Sequence, residues 1–346
     1  MSARIRIAVD AMSGDLGPRI AISASQKFVT QFPDVDLLLV GNESQLSYLL
    51  PKSQKLHERI TLVHADDVVS MHDDPLLALR RKKNSSMWMA LDLLRNDDAD
   101  ACVSAGNTGA LLAIARFLIK TFSVIERPAI CKAMPVEAGC TYLLDLGANI
   151  NCSPAHLHQF ALMGSILAGG TNNVAPRVAL LNIGTEQQKG TEILQAAQLL
   201  LQADERINYV GFVEANGIFA GSVDVIVCDG FHGNIALKAS EGVARYISKK
   251  ITSVAKKNLF NKCLGLVAWP LLARLRHDLD PSLYNGASFL GLQKTVIKSH
   301  GGADKKAFFQ ALVVAREQVI QQVPARIQQV FFDGAGHNQI DRTHLS

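Results

Sequence analysis

The most informative segment of the chain is Val9-Asp10-Ala11-Met12-Ser13-Gly14-Asp15-Leu16-Gly17-Pro18, near the N-terminus. Apolar, alternating residues precede it at 5–8, and a helical pattern follows it. The sequence therefore predicts a strand, a tight loop with two carboxylates, and a helix with Pro18 in its first turn. Proline is tolerated there because the N–H groups of that turn have no intrahelical partner. α/β proteins place ligands in loops at the carboxyl ends of strands, so this loop is the first candidate site.

Short apolar runs closed by small polar residues recur along the chain. Several are nearly continuous, which is typical of strands whose two faces are both covered. They lie at 5–10, 35–40, 60–64, 99–104, 140–145, 177–183, 207–213 and 223–228. Helical patterns lie between them at 20–32, 86–94, 109–120, 154–167 and 191–201. The alternation predicts an α/β fold with a mainly parallel sheet flanked by helices.

The domain organisation follows from the absence of repeats, low-complexity linkers and composition breaks. Two α/β lobes that share one continuous sheet fit the length better than two separable domains. We expect a single unit over 1–335 and a C-terminal tail at 336–346. The C-terminal third is mostly helical, with a helical pattern over 304–331 that is interrupted at Pro324, where proline cannot continue the hydrogen-bond ladder.

Composition excludes several classes of protein. The chain has 346 residues, of which 48% are hydrophobic and 19% charged, and a formal net charge of +4. That charge is too small to indicate nucleic-acid binding. No stretch approaches the ~18 apolar residues of a membrane span, and the N-terminus lacks the apolar core of a secretory signal, so we expect a cytoplasmic protein. The six cysteines are scattered without a C-x-x-C pair, which favours buried reduced thiols over a metal site or disulfides.

Five strand ends have similar polar sequences. They read Ser104-Ala105-Gly106-Asn107-Thr108-Gly109, Asp145-Leu146-Gly147-Ala148-Asn149, Asn182-Ile183-Gly184-Thr185-Glu186, Glu214-Ala215-Asn216 and Asp229-Gly230-Phe231-His232-Gly233-Asn234. Glycine permits close backbone approach, and a helix N-terminus after such a loop offers N–H groups to an anion. Together they suit a phosphate and an amide-rich substrate arm. The alternative is that Gly and Asn only form the turns between strands and helices.

Familiar nucleotide and hydrolase motifs do not account for these loops. No G-x-G-x-x-G follows a strand, and no G-x-S-x-G elbow is present. Residues 184–191 resemble a P-loop only superficially, because Lys189 precedes Gly190 where the motif needs glycine before lysine.

Individual residues in these loops have both functional and structural interpretations. Lys189 lies on a glycine-bounded loop after a strand, where a cation can meet an anionic substrate; otherwise it is a solvated surface lysine. Asn234 falls at the start of a predicted helix, where it is either a polar donor or a helix N-cap. His232 and His300 are candidate bases, since imidazole titrates near neutrality, although loop histidines are more often structural.

The segment 242–277 contains no Asp or Glu but many Lys and Arg interleaved with apolar residues. A basic amphipathic helical pair of this kind can lie on an anionic membrane surface or dock an acidic protein. The candidate membrane-facing residues are Leu264, Leu266, Val267, Trp269 and Leu271. The alternative is a dimer or core helix with a solvated basic face.

The sequence resembles the bacterial phosphate acyltransferases, which make acyl-phosphate from acyl carrier protein thioesters. The likeness covers about residues 4–330 and rests on motifs in a shared order. Besides the opening segment these are 102–110, Glu126-Arg127-Pro128-Ala129, Leu144-Asp145-Leu146-Gly147-Ala148-Asn149, 182–190, 228–234, Tyr284-Asn285-Gly286-Ala287 and Val296-Ile297-Lys298-Ser299-His300-Gly301. The resemblance implies a homodimer and a fold related to isocitrate and isopropylmalate dehydrogenases and to phosphotransacetylases, without their cofactors.

The resemblance also implies an activity and its residues. Phosphate would attack the thioester carbonyl of acyl carrier protein, and the acyl-phosphate would serve glycerol-3-phosphate acylation in phospholipid synthesis. Lys189 and Asn234 are the expected catalytic residues. The expected substrate-binding residues are Asp10, Asn107, Thr108, Asn149, Asn182 and His300. Expected partners are the carrier protein, inorganic phosphate, a second copy of the chain, an anionic membrane and a membrane glycerol-3-phosphate acyltransferase; no cofactor, metal or nucleic acid is expected.

Two departures from the family pattern affect these expectations. Ser13 stands where the family has glycine, so the first loop is expected to differ in shape. His232 stands where the family has a smaller residue, which argues against His232 as a general base. Two alternatives stay open at this point: a phosphotransacetylase that uses acyl-coenzyme A, and a non-enzymatic, membrane-recruited protein that binds acyl carrier.

Overall fold

The computed structural model describes residues 4–50, 58–137, 139–170, 175–256 and 280–340. One eleven-stranded sheet runs through them in the order β3-β2-β1-β4-β11-β10-β5-β6-β9-β7-β8. Its strands are β1 Ile5–Asp10, β2 Val35–Gly41, β3 Ile60–His64, β4 Ala101–Ser104, β5 Ala129–Pro135, β6 Cys140–Leu144, β7 Arg177–Leu181, β8 Asn208–Val213, β9 Val225–Val227, β10 Ala287–Leu290 and β11 Thr295–Lys298. The predicted α/β fold with a large, mainly parallel sheet is confirmed.

The direction of the strands divides the sheet into two lobes. Strands β3, β2, β1, β4 and β11 are mutually parallel and form the first lobe. Strands β6, β9, β7 and β8 are also mutually parallel and form the second. Between them, β10 is antiparallel to both its neighbours, and β5 is antiparallel to β6. The two parallel sets therefore run in opposite senses within the sheet. The carboxyl ends of the first-lobe strands lie on one side, which we call the first-lobe edge. Those of the second-lobe strands lie on the other side, which we call the second-lobe edge.

Helices cover both faces of the sheet. They are α1 Pro18–Gln31, α2 Glu43–Leu49, α3 Pro75–Arg81, α4 Ser86–Arg95, α5 Thr108–Leu118, α6 Pro154–Gly169, α7 Glu192–Ala203, α8 Gly230–Lys256, α9 Lys305–Ile320 and α10 Val323–Ile340, with 3₁₀ helices at Ala215–Phe219 and Pro281–Tyr284. Pro18 lies in the first turn of α1, as predicted. The predicted C-terminal interruption falls at 321–322, and Pro324 is the second residue of α10.

Three strands were absent from the sequence-based prediction: β5, β10 and β11. β10 and β11 are only four residues long, and β5 contains the charged Lys132, so none stands out as a long apolar run. They are stabilised by pairing with partners distant in sequence, such as Ser288 with Cys131. Local periodicity does not report such pairing. Strands β10 and β5 join the two lobes into one sheet, and β11 completes the first lobe beside β10.

Buried apolar side chains from the strands and helices form the core. The largest fully buried ones include Phe28 and Phe308 between α1, α9 and the first lobe, and Phe160 of α6 in the second. Cys102, Cys131, Cys152 and Cys228 are buried free thiols. Within the described ranges, no helix is long and apolar enough to cross a membrane.

Candidate active site

Lys189 and Asn234 lie at the second-lobe edge of the sheet, at the ends of adjacent strands. Strand β9 pairs with β6 on one side and β7 on the other, with Val227 in register with both Leu144 and Leu180. The loops that follow β6, β9 and β7 therefore emerge side by side. Asn149 belongs to the first of these loops, Asn234 follows the second in α8, and Lys189 follows Asn182 in the third.

The loop after β6 is organised by Asp145, which is fully buried. Its Oδ1 accepts from the N–H groups of Ile130 and Ala148 at 2.9 and 3.1 Å. Its Oδ2 accepts from the backbone N–H and the Nδ2 of Asn149 at 2.7 and 2.9 Å. Burial raises the pKa of Asp145, against the lowering effect of these hydrogen bonds. The Asp145 carboxylate therefore fixes the loop after β6. Asn149 of this loop is also buried, and its Nδ2 donates to the Pro128 carbonyl at 2.8 Å.

Helix α8 begins directly against this loop, and two glycines allow the contact. The N–H of Gly230 donates to the Asn149 carbonyl at 2.7 Å. A Cβ on Gly230 would lie 2.8 Å from that same oxygen, and one on Gly233 would lie 1.9 Å from the Asp145 carbonyl oxygen. No side chain larger than hydrogen fits at either position without displacing the helix. The close approach brings Asn234 beside Gly147.

Asn234 is not the N-cap of α8. The helix begins four residues earlier, at Gly230, and Asp229 precedes it. Asp229 Oδ1 accepts from the His232 N–H at 2.9 Å, and its Oδ2 pairs with the His232 ring at 2.7 Å. The side chain of Asn234 is exposed in the first turns of the helix. The cap interpretation of Asn234 is therefore wrong, and His232 is held by Asp229.

The loop after β7 presents Lys189 to solvent. Asn182 is buried, donates from Nδ2 to the Lys189 carbonyl at 3.0 Å, and accepts from the Ile183 N–H at 2.8 Å. Gly190 closes the loop at φ +99°, with Asn182 in contact. Lys189 Nζ pairs with Glu186 at 2.8 Å, and this pairing raises the pKa of the lysine. The ammonium group of Lys189 therefore lies at the second-lobe edge and is paired with the carboxylate of Glu186.

The first-lobe edge contains Asp10, which is fully buried. Its carboxylate accepts three serine hydroxyls: Ser86 at 2.6 Å, Ser104 at 2.7 Å, and Ser13. Ser13, at the position where the family resemblance leads us to expect glycine, supplies one of these hydrogen bonds. The substrate-binding role of Asp10 stays a prediction; its hydrogen bonds tie the β1 loop to β4 and α4.

Asn107 and Thr108 follow β4 at the same first-lobe edge. Asn107 is the N-cap of α5, accepting from the Ala110 N–H at 3.1 Å. Its Nδ2 donates to the carbonyls of Met71 and Asp73 at 3.1 and 3.0 Å. Asn107 therefore ties the segment before α3 to this edge, while the neighbouring Thr108 is exposed.

His300 follows β11 at this edge and is also exposed. Its N–H donates to Oδ1 of the buried Asn285 at 3.0 Å. Its ring Nδ1 accepts from the Gly302 N–H at 3.0 Å, so the neutral ring carries its proton on Nε2. Desolvation, with Lys238 and Lys298 nearby, lowers the pKa of His300 below its usual 6.5. The neutral ring, a hydrogen-bond donor through Nε2, is therefore the prevailing form at pH 7.

Helix α8 joins the two edges. It starts at the second-lobe edge, and seven residues after Asn234 its Glu241 lies 3.6 Å from Lys132 of β5. Lys238, one turn before, contacts Glu241 at 3.4 Å. Seven helical residues span about 10 Å. The predicted residues thus form two groups, and the face of α8 that carries Asn234 leads from one group toward the other.

We call the region where α8 passes β5, between the two lobes, the junction. Three charged residues there were not among the predicted site residues: Lys132, Glu241 and Lys298. Burial lowers the pKa of Lys132 in spite of Glu241. Burial alone would raise the pKa of Glu241, but Lys132 and Lys238 hold it below its usual value. Burial lowers the pKa of Lys298 to about 8. For Lys298 the sequence did contain a signal, because a lysine at the end of the short apolar run Val296-Ile297-Lys298 is unusual.

The predicted membrane-facing residues, Leu264 to Leu271, lie outside the described residues. In the ranges that are described, no group of three or more His, Cys, Asp and Glu side chains is placed to hold a metal ion.

Comparison with known proteins identifies the family. A profile described as "Fatty acid synthesis protein" matches residues 5–326. A phosphate acyltransferase of Cellvibrio japonicus (strain Ueda107) is 63% identical over 330 residues, covering 94% of this chain and 98% of that relative. One from Hydrogenovibrio crunogenus is 49% identical over 324 residues, covering 93% and 96%. The chain belongs to the phosphate acyltransferase family. It is therefore an enzyme of the acyltransferase class.

The fold is shared with a solved phosphotransacetylase. The structure of a phosphotransacetylase from Streptococcus pyogenes superposes with a TM-score of 0.62 at 15% sequence identity, over 93% of this chain and 95% of that one. The expected relation to the phosphotransacetylase fold is confirmed. The two lobes and the junction between them belong to a common architecture.

Proposed function

We propose that this enzyme transfers a fatty acyl group from the thioester of acyl carrier protein to inorganic phosphate. The products are acyl-phosphate, for the acylation of glycerol 3-phosphate in phospholipid synthesis, and the free thiol of the carrier. The observation that carries the proposal is the placement of Lys189 and Asn234 at the ends of adjacent strands. One offers a cation and the other a neutral donor, beside the N-terminus of a long helix whose dipole favours anions.

The chemistry needs no nucleophile from the protein. A phosphate oxygen attacks the thioester carbonyl carbon, the carbon–oxygen bond forms, and the carbon–sulfur bond breaks. The electron pair leaves with sulfur, and a thiolate is a good leaving group. What the protein supplies is orientation of two reactants and stabilisation of the oxyanion.

Each site residue has a role in this scheme. Lys189 exchanges its pairing with Glu186 for phosphate, and Asn234 donates to the thioester oxygen. Asn182 and Asn149 hold the two loops that present these groups, and Asp10 and Asn107 hold the loops of the opposite edge. His300 and Thr108 supply exposed polar groups at that edge, toward which α8 leads.

The first test is phosphate-dependent release of the carrier thiol by the purified enzyme. We expect acyl-phosphate from hexadecanoyl carrier protein in proportion to the thiol released. Faster turnover with acetyl-coenzyme A would instead support a phosphotransacetylase-like enzyme. Tight carrier binding without thiol release would support the non-enzymatic regulator.

We also propose peripheral contact with anionic membranes through the acid-free segment 242–277. Lys and Arg near an anionic surface contribute about 1 kcal/mol each, and apolar side chains supply insertion. The expected result is co-sedimentation with anionic vesicles that weakens as salt rises. Replacing Leu266 and Leu271 with Glu should abolish sedimentation and leave turnover in solution largely intact. Sedimentation of the double variant with vesicles would contradict this proposal.

A homodimer is proposed as the working unit. Exposed apolar side chains follow the start of α8, among them Phe231 and Ile235, which are 54% and 51% exposed. Apolar surface of this kind is typical of protein contacts. Sedimentation equilibrium should give twice the 37.5 kDa mass of the chain, and a monomer at micromolar concentration would contradict the proposal.

A further inference from the structure

An apolar groove of about 620 Å³ runs between helix α8 and the end of strand β5. Its walls are mostly apolar side chains from β5, the 3₁₀ helix Ala215–Phe219 and α8. They include Met134, Val136, Phe219, Leu237, Ala244 and Ile247. The volume lies within the range of about 300–1,000 Å³ that is typical of small-ligand sites.

Part of the groove, between Leu237 and Ala244 along α8, is polar. Lys132 and Glu241 line it, and the same two residues line a neighbouring cavity of about 270 Å³. That second cavity also contains His300 and Asn285. The groove therefore borders the polar cavity, and an amphiphile that occupies it meets both polar and apolar side chains.

The groove follows the face of α8 on which Asn234 lies. Leu237, Glu241 and Ala244 come three, seven and ten residues after Asn234, a spacing that places them along one helical face. From Leu237 to Ile247 the helix rises about 15 Å. A chain that starts at the Asn234 end and follows this face passes Leu237, then the Lys132–Glu241 pair, and then Ala244 and Ile247.

We propose that this groove holds the acyl chain of the substrate, with the thioester carbonyl at the Asn234 end. The inference rests on the proposed function, because it takes a fatty acyl donor as the substrate. It assigns acyl-chain selection to Ala244 and Ile247, which lie at the middle and far end of the helix face. Each methylene that enters should tighten binding about fourfold, the usual value for burying one CH₂.

Substitution of Ala244, which is half-buried, tests the proposal. Ala244→Phe should block the channel and lower kcat/KM for hexadecanoyl donors by about tenfold or more, as expected of an overfilled site. Butanoyl donors should react at the wild-type rate. Ser253→Phe is the matched control, because Ser253 is exposed on the opposite side of α8 and should change neither donor. Equal losses for both donors, or no loss for either, would overturn the assignment.

A binding measurement separates this proposal from the proposed reaction. Ile247 is 39% exposed, so the thiol of the Ile247→Cys variant should react with a maleimide. A hexadecyl thioether of pantetheine, which cannot react, should slow that labelling at least tenfold, and the ethyl thioether should not. Protection in an enzyme that makes no acyl-phosphate would support the groove and refute the reaction.

Two results would overturn the groove as a substrate site. One is equal labelling with and without the hexadecyl thioether. The other is a change of sedimentation mass in the Ala244→Phe variant, which would show that a second copy of the chain occupies the groove.

Discussion

Gly233→Ala tests whether the contact of α8 with the loop after β6 sets the position of Asn234. The new Cβ would lie 1.9 Å from the Asp145 carbonyl oxygen and 2.8 Å from the Cys228 sulfur. The first atom belongs to backbone fixed by the buried Asp145 network, so the helix must move, by about 1 Å or more. Misplacement of about 1 Å at a reacting group can cost on the order of 100-fold in rate.

The expected result is a loss of kcat of about 100-fold with a measurable loss of stability. Overpacking of this kind costs about 1–3 kcal/mol, which the urea midpoint reports, and turnover is measured at a temperature where circular dichroism shows the variant folded. Gly242→Ala is the matched control in the same helix. Its Cβ would meet nothing within 4 Å, so turnover should be unchanged and stability should rise by about 0.5–1 kcal/mol from the better helix propensity. Wild-type kcat in a folded Gly233→Ala variant would show that the contact of α8 with the loop after β6 does not set the position of Asn234.

Three further predictions concern single side chains. Lys189→Ala should lower kcat at least ~100-fold with little change in Tm, since it removes one charge-stabilising group from an exposed position; near-normal turnover at saturating phosphate would remove Lys189 from the chemistry. Asn234→Asp should impair turnover more than Asn234→Ala, because it places a negative charge beside the proposed phosphate site, and equal steady-state rates for the two variants would argue against a donor role. Burial lowers the pKa of Lys298 from 10.5 to about 8, so between pH 8 and 10.5 the unfolded chain binds more protons than the folded one, and the free energy of unfolding rises with pH. Urea unfolding at pH 7.5 and at pH 10 should show a larger rise for wild type than for Lys298→Met. Equal rises for the two proteins would contradict this pKa shift.

The sequence predicted the parts of the fold that depend on local pattern. Strand β1, its loop and helix α1 were predicted with nearly the observed bounds, because a doubly buried strand and a first-turn proline leave local signals. Strands β5, β10 and β11 depend on pairing with distant segments and left no such signal. The opposite senses of the two lobes follow from those three strands, so the separation of the strand-end loops into two edges could not be foreseen.

The candidate site shows the same division. Its glycine-bounded position made Lys189 a candidate, the family resemblance favoured it over a surface lysine, and in the structure it lies on an exposed loop held by Asn182. For Asn149 and Asn182 the same residue types do a different job, since their amides bind the backbone of their own loops. Sequence spacing does not distinguish an amide that faces solvent from one that fixes a loop. The Lys132–Glu241 pair joins residues 109 positions apart, and only the folded chain brings it to the junction.

In the proposed reaction, phosphate attacks the carrier thioester directly at the edge that presents Lys189 and Asn234. The most direct measurement mixes enzyme with stoichiometric hexadecanoyl carrier protein, first without phosphate and then with ¹⁸O-labelled phosphate. We expect no release of carrier thiol until phosphate is added, and then acyl-phosphate that contains the label. A burst of thiol equal to the enzyme concentration before phosphate is added would show an acyl-enzyme intermediate and contradict the proposed reaction.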